Sequence, residues 1–474
     1  MSFTSGTYFV FLIAVFFVYW LMAGRHYWRT GVVLLASFFF YTQSGAKPLL
    51  LLLAVSLIDF TTTRLMNVAR DESVRRMLLR VSLVTDVGAL CVFKYANFFL
   101  DSAASVFAIY DLKFQLPHLN LIAPLGVSFF IFQSIAYVVD VYHRNIEPAK
   151  SYPDYLAFIT FFPTIVAGPI LRAGQTLPQF CRQPTLDAEM GGQALFLIAL
   201  GLVKKIAIAD YLAANFTDRV FDFPDRFSAF ETWMAFYGYA LQIYADFSGY
   251  SDIAIGSALL LGFTPPANFN APYRAQNLPE FWRRWHISLS TWLRDYVFFA
   301  IAGKRRTAAW LYAGLIITLL VGGLWHGPTW TFVWWGLLHG LGLTAVRAFD
   351  EFRKRRGLAR TKTRWSHAAG VLITFHFVCF TWIFFRAESF SQALVFLRQM
   401  FSFTFDTSNL ARPVVLIIVV GLLAHQLPDR VWQASRDSFI RLPAPVQAVA
   451  LLGLAIGLYF VASTEAVPFI YARF

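Results

Sequence analysis

Apolar runs near twenty residues long, divided by short breaks of charged residues, glycine and proline, recur along the chain and limit what it can fold into. A helix needs about 20 such residues to cross the hydrocarbon core of a bilayer. Runs fall at 8–22, 81–100, 122–141, 192–209, 232–261, 310–324, 330–346, 367–385, 414–427 and 446–461. Two further blocks form a hairpin around the Gly45-Ala46-Lys47-Pro48 turn. Only 14% of residues are charged and 58% are hydrophobic, whereas soluble domains carry about 25% charge. The blocks follow neither heptads nor G-X-Y triplets, which sets aside coiled coil and collagen, and their apolarity sets aside disorder. The expected fold is an all-α polytopic membrane protein of about 11–13 transmembrane helices. One or two re-entrant or interfacial pieces, at 158–170 and 287–301, are too short or too polar to span. No internal repeat or long linker divides the chain, so residues 1–474 are expected to form a single integral-membrane domain.

Lys and Arg number 40 against 27 Asp and Glu, a net charge of +13. In a membrane protein that excess belongs to cytoplasmic loops rather than to nucleic-acid binding. No cation precedes the first run, while Arg25, His26 and Arg29 follow it, so it reads as an uncleaved span with the N-terminus outside. Segment 64–80, with five arginines, is expected in the cytoplasm. Segment 347–364, with eight cations against Asp350 and Glu351, follows a span directly. It too reads as cytoplasmic, and it can meet anionic lipid headgroups at about 1 kcal/mol per cation. Cys91, Cys181 and Cys379 are too scattered for a disulfide framework or a four-ligand zinc site. With no HExxH and no carboxylate-rich spacing, no metal is expected.

Three polar motifs interrupt the apolar background, and ionisable groups there point to function by default. The first, GGLWHGPTW at 322–330, places His326 between two spans beside glycines and Pro328. Proline cannot donate a backbone hydrogen bond, so one helix should stop near Trp325 and another start around Thr329. A neutral imidazole at such a break has the chemistry of a general base for an alcohol attacking an acyl carbon; the alternative is a histidine that hydrogen-bonds two helices together. His339 would lie about 220° away on a continuous helix and reads as structural.

The second motif is FWRRWHISLSTWLRDY at 281–296. Read as one helix, His286, Ser290 and Arg294 form a polar stripe, and Trp285, Leu289 and Trp292 an apolar one. The segment is either an interfacial aromatic anchor or the lining of a site. The third, YADFSGYSDI at 244–253, puts Asp246 and Asp252 about 240° apart on one helix. They cannot form a single acid/base pair from that helix. Their expected role is a helix-to-helix ion pair, with Arg274, Arg283, Arg284 or Arg294 as partner.

Together these motifs resemble the membrane-bound O-acyltransferase family. The Trp325-His326-Gly327 core is similar to the family's histidine region, and 281–296 resembles the FWxRWHxSLSxWxRDY signature of its bacterial branch. His286 stands where many eukaryotic members carry asparagine. YADFSGYSDIAIG at 244–256, FFPTIVAGPILR at 161–172 and the C-terminal PFIYARF at 468–474 also resemble that branch, with Ala472 departing from an aromatic. The resemblance runs from about residue 124 onward. It implies a helical ring around a central channel, with His326 as the catalytic base and His286 as a second active-site residue. Trp325, Trp285, Ser288, Ser290, Arg294, Asp295, Asp246, Ser248, Tyr250 and Asp252 are the candidates to line the substrate site.

The resemblance further implies an acetyltransferase of a bacterial inner membrane. It would take acetyl-CoA from the cytoplasm, with no bound cofactor, and serve O-acetylation of an extracytoplasmic polysaccharide such as alginate, cellulose or peptidoglycan. A separate extracytoplasmic protein is expected to complete the transfer. D-alanyl transfer from a carrier protein to teichoic acid is the nearest alternative. A transporter or flippase for a lipid-linked sugar would also suit broken helices and intramembrane aspartates, but it would consume no thioester. A structural scaffold for secretion would tolerate loss of His326.

Overall fold

The computed structural model describes residues 1–43, 45, 47–111, 117–119, 121, 126–166, 168–303, 307–358 and 363–462. Among these, every regular element is helical and no strand occurs. The C-terminal run 468–474, Ala46 of the hairpin turn, Ala167 of the 161–172 motif and the first residues of the 122–141 run lie outside the described residues. The chain divides into two compact units, Met1–Gly191 with Ser257–Pro266, and Gly192–Gly256 with Ala267–Phe474.

In the first unit, the helix Val127–Tyr142 is buried on nearly every face and packs against Lys47–Val68 and Glu72–Leu90. A helix apolar all round belongs in a core, and this one sits there. Asp71 caps Glu72–Leu90, accepting from the backbone N–H of Ser73 at 2.8 Å. That bond, with a second from the Ser73 hydroxyl, holds the Asp71 carboxyl below the usual carboxylate range. Not every cation of this region is a loop charge. Arg75 is 4% exposed and donates to the carbonyls of Met66 at 2.7 Å and Tyr142 at 2.6 Å. Arg29, 3% exposed, donates to those of Ala23, Phe180 and Arg182. These carbonyls lie at or just beyond helix C-termini, whose orphan acceptors and negative dipole end favour a cation.

In the second unit, Ala308–His326 and Trp330–Arg355 form a tight hairpin. A Cβ on Gly323 would collide with the Phe332 carbonyl, and one on Gly336 with the Leu319 carbonyl. Small residues let membrane helices approach this closely. Ala188–Leu202 meets Ala229–Leu260 in the same way. A Cβ on Gly201 would stand 2.6 Å from the Gly249 oxygen, and one on Gly249 would stand 2.8 Å from the Gly201 oxygen.

Among the described residues, four helices are long and apolar enough to cross a membrane on their own: Lys47–Val68, Ala308–His326, Arg364–Arg386 and Ala444–Val461. The pair Arg412–His425 and Asp429–Ile440, bent by 98°, adds a fifth if taken as one span. Two other expected runs are interrupted. Residues 81–100 divide between Glu72–Leu90, a wide π turn at Cys91–Tyr95 and Ala96–Ile109. Residues 192–209 divide between Ala188–Leu202 and a π turn at Val203–Asp210. Both turns contain the lysines that break the apolar run: Lys94, which donates to the Ser128 hydroxyl at 3.0 Å, and Lys204-Lys205. A π turn is a local re-registration of the backbone, and such turns often accompany functional or strained positions.

Candidate active site

His326 is the last residue of Ala308–His326, and the next helix begins at Trp330, as the Gly327-Pro328 break predicts. The side chain is 3% exposed. Its ring sits among Trp325, Trp335 and Phe385, with centroid separations of 5.0, 5.1 and 5.2 Å. His286, wholly buried, lies against the same Trp325 indole at 5.6 Å and against Phe247 at 4.6 Å. The two motifs, forty residues apart in sequence, thus bring their histidines onto one tryptophan. Among the described residues, neither ring nitrogen of His286 meets a hydrogen-bonding partner. Buried polar atoms are ordinarily paired, which singles this imidazole out.

The expectation of one continuous helix through 281–296 is not met. Leu278–Arg284 ends, His286 takes a left-handed conformation with φ 40° and ψ 58°, and Ile287–Trp292 starts anew before a π turn at Leu293–Phe298. A non-glycine residue in that region is strained, and such strain gathers at functional sites. The His286, Ser290, Arg294 stripe is therefore no regular helix face. Ser290 donates to the Trp285 carbonyl at 3.0 Å, closing the bend. Ser288 donates to the side-chain oxygen of Asn268 at 2.9 Å. Trp285 is fully buried against Phe269, Phe281 and Trp382, and Arg294 is paired with its neighbour Asp295 at 2.8 Å.

The acidic motif resolves differently. Asp252 pairs with Lys204 at 2.6 Å, and Lys205 bridges Asp246 at 2.7 Å and Asp210 at 2.6 Å. The expected helix-to-helix ion pairs are present, but lysines of the Val203–Asp210 turn supply them rather than the arginines. Arg274, Arg284 and Arg294 are committed to Asp429, Glu280 and Asp295. The glycine contact at Gly201 and Gly249 brings the lysines within reach. Tyr250 lies under the Lys205 ammonium at 5.4 Å, and Ser248 is buried on the same helix. His339 donates or accepts at Thr381, 2.9 Å away, among Trp282, Trp335 and Phe377, as a structural histidine would.

A cavity of about 720 Å³ is lined in part by residues of the 281–296 motif, although neither His286 nor His326 is among its lining residues. Its apolar wall includes Trp282, Ile287, Leu293 and Leu319, and Ser290 and Thr318 also face it. Arg283, Arg294, Arg347 and Lys354, with Asp350 and Glu351, supply its charged part. Ile287 adjoins His286, and Leu319 lies two helical turns before His326. Among the described residues, no group of three or more His, Cys, Asp or Glu is placed to hold a metal ion. Sequence reasoning missed Asn268 and the Lys204-Lys205 pair. The lysines were legible as two cations in an expected span, opposite two aspartates in another. Nothing in the sequence marks the asparagine.

Residues 144–389 match the membrane-bound O-acyltransferase family. The chain is 38% identical over 428 residues to a probable alginate O-acetylase of Pseudomonas aeruginosa, covering 89% of this chain and 79% of that protein. It is 36% identical over 395 residues to a peptidoglycan O-acetyltransferase of Helicobacter pylori, covering 78% and 73%. To a teichoic acid D-alanyltransferase of Bacillus subtilis it is 29% identical over 285 residues, covering 58% and 71%. Its apolar helices, its paired histidine motifs and these similarities agree: the chain belongs to the membrane-bound O-acyltransferase family, and it is a multi-pass membrane enzyme that transfers acyl groups to oxygen.

Proposed function

We propose that the whole chain acts as one catalytic domain of a bacterial inner membrane, moving an acetyl group from acetyl-CoA for O-acetylation of an extracytoplasmic polysaccharide. The observation that carries this reading is the meeting of His326 and His286 on the Trp325 indole, and it is supported by a cavity, lined in part by the His286 neighbour Ile287, that is apolar on one part and cationic on another. Relatives that act on alginate and peptidoglycan support a polysaccharide acceptor. The cavity suits a thioester whose long neutral arm is apolar in character and whose far end is phosphorylated, because arginine matches phosphate geometry well.

In this mechanism the His326 imidazole takes the proton of the acceptor hydroxyl as its oxygen attacks the thioester carbonyl. The C–S bond breaks, the thiolate leaves, and the proton on His326 passes to it. His286 orients the acceptor or donates to the developing oxyanion, where one good donor contributes about 3 kcal/mol. The indole N–H groups of Trp285 and Trp335, buried with no partner among the described residues, are further donors of that kind. Asp246 and Asp252, held by lysines, keep the helices together. A separate extracytoplasmic protein is the expected recipient of the acetyl group. The test supplies labelled acetyl-CoA to membranes holding the protein and scores thiol release and acyl transfer. Release that requires acetyl-CoA supports the reading. Activity only with an aminoacyl-loaded carrier protein moves the donor to D-alanyl chemistry, and transport without thioester consumption overturns the reading.

A further inference from the structure

His286 holds a backbone conformation that an L side chain rarely adopts, and one residue brackets it from outside its own helix. The Asn268 backbone carbonyl accepts from the N–H of Ile287 at 2.8 Å. Its side-chain oxygen accepts from the backbone N–H of Ser288 at 3.3 Å and from the Ser288 hydroxyl at 2.9 Å. Its amide donates to the Ser251 hydroxyl at 3.1 Å, and the residue is 1% exposed. Two positions on, the Asn270 N–H donates to the Arg284 carbonyl at 2.9 Å. The short segment 268–270 therefore grips the chain both before and after His286.

The N–H groups of residues 287 and 288 open the helix Ile287–Trp292, where a helix lacks internal acceptors. His286 occupies the cap position but makes no side-chain cap bond. Asn268 supplies those acceptors instead, which leaves the imidazole uncommitted to capping. The other end of the amide is tied to Ser251, on the helix that carries Phe247 against the His286 ring. Asparagine is suited to this place because one short neutral group both accepts and donates. Alanine would abolish all three side-chain bonds, and aspartate would keep the accepting half while burying a charge.

We propose that Asn268 is a positioning residue for the acyl transfer, fixing the left-handed turn that sets His286 against Trp325. This rests on the reading of His286 as an active-site group. The test is a double-substitution cycle on the full-length protein in membranes, using whichever acyl thioester the wild type consumes, with kcat and KM measured per folded molecule. Misplacement of a reacting group by about 1 Å costs about 100-fold, so Asn268→Ala is expected to lower kcat by about that factor with KM for the thioester unchanged. Asn268→Asp, which keeps the acceptor, is expected to recover part of the loss and serves also if the alanine variant folds poorly. On a His286→Ala background, Asn268→Ala is expected to cause no further loss. Losses that multiply in the double variant, or a kcat unaffected by either substitution at 268 while His286→Ala is impaired, would overturn the proposal. Full activity of His286→Ala would instead remove the reading on which it stands.

Discussion

In the acidic motif, Asp252 lies 2.6 Å from Lys204, and Asp246 and Asp210 share Lys205. In the histidine motifs of the same unit, the His286 ring lies against the aromatic rings of Phe247 and Trp325, and among the described residues its two ring nitrogens have no hydrogen-bonding partner. Both are polar intrusions into apolar surroundings, yet in one the charged side chains are paired and in the other the His286 ring is not. Buried charge is tolerated when it is paired, and pairing spends the group on structure. In the proposed mechanism, an imidazole in such an aromatic box keeps its ring nitrogens available to a bound substrate. On the proposed mechanism, that difference separates the scaffold from the chemistry without any appeal to which residues look more polar in the sequence.

The comparison breaks most visibly at Lys205. Replacing Lys205 by Met leaves two buried carboxylates facing each other without their cation, and removing one partner of a buried pair costs about 3–5 kcal/mol. Thermal unfolding of the purified protein in detergent should show that loss, and the Asp210→Asn, Asp246→Asn, Lys205→Met triple variant should recover most of it. A stability unchanged by Lys205→Met would mean the pairs are not what holds these helices. A second test is Gly249→Leu, where the side chain would be driven into the Gly201 carbonyl and the Lys204 turn. Overpacking costs about 1–3 kcal/mol, and the same melting measurement should register it, whereas Gly453→Leu, with open space around it, should not.

The smallest effects belong to the cavity. Among the described residues, Arg283 and Lys354 have no carboxylate within ion-pair distance, while Arg347 is paired with Glu351 at 3.0 Å. Alanine at 283 or 354 should raise the KM for acetyl-CoA about five-fold, equivalent to about 1 kcal/mol, with kcat unchanged, as expected for loss of uniform binding. Steady-state kinetics on reconstituted protein would show it. A fall in kcat instead would place these cations in the reaction rather than in binding.

Much of this was legible before the structure. The helix stop at His326 followed from Gly327-Pro328, and the helical membrane class followed from the apolar runs. The turn at His286 was not legible, because its sequence spacing suits a regular amphipathic helix. What bends it is a set of hydrogen bonds from residues 268–270, which no local pattern announces. The aspartate partners were misjudged for a related reason. Most of those arginines lie nearer in sequence, while close packing through Gly201 and Gly249 determines which cations arrive. Arg75 is likewise indistinguishable from its loop neighbours until its two helix-end carbonyls are seen.

The central claim is that acyl transfer runs on the histidine motif and not on the acidic one. The direct measurement compares label transfer from acetyl-CoA by His326→Ala and by the charge-neutral Lys204→Met, Asp252→Leu double variant, each scaled to the amount of folded protein. Loss of a general base should lower transfer by about 100-fold or more, while the double variant should keep its turnover per folded molecule. Transfer preserved in His326→Ala, or abolished in a well-folded double variant, would contradict the account.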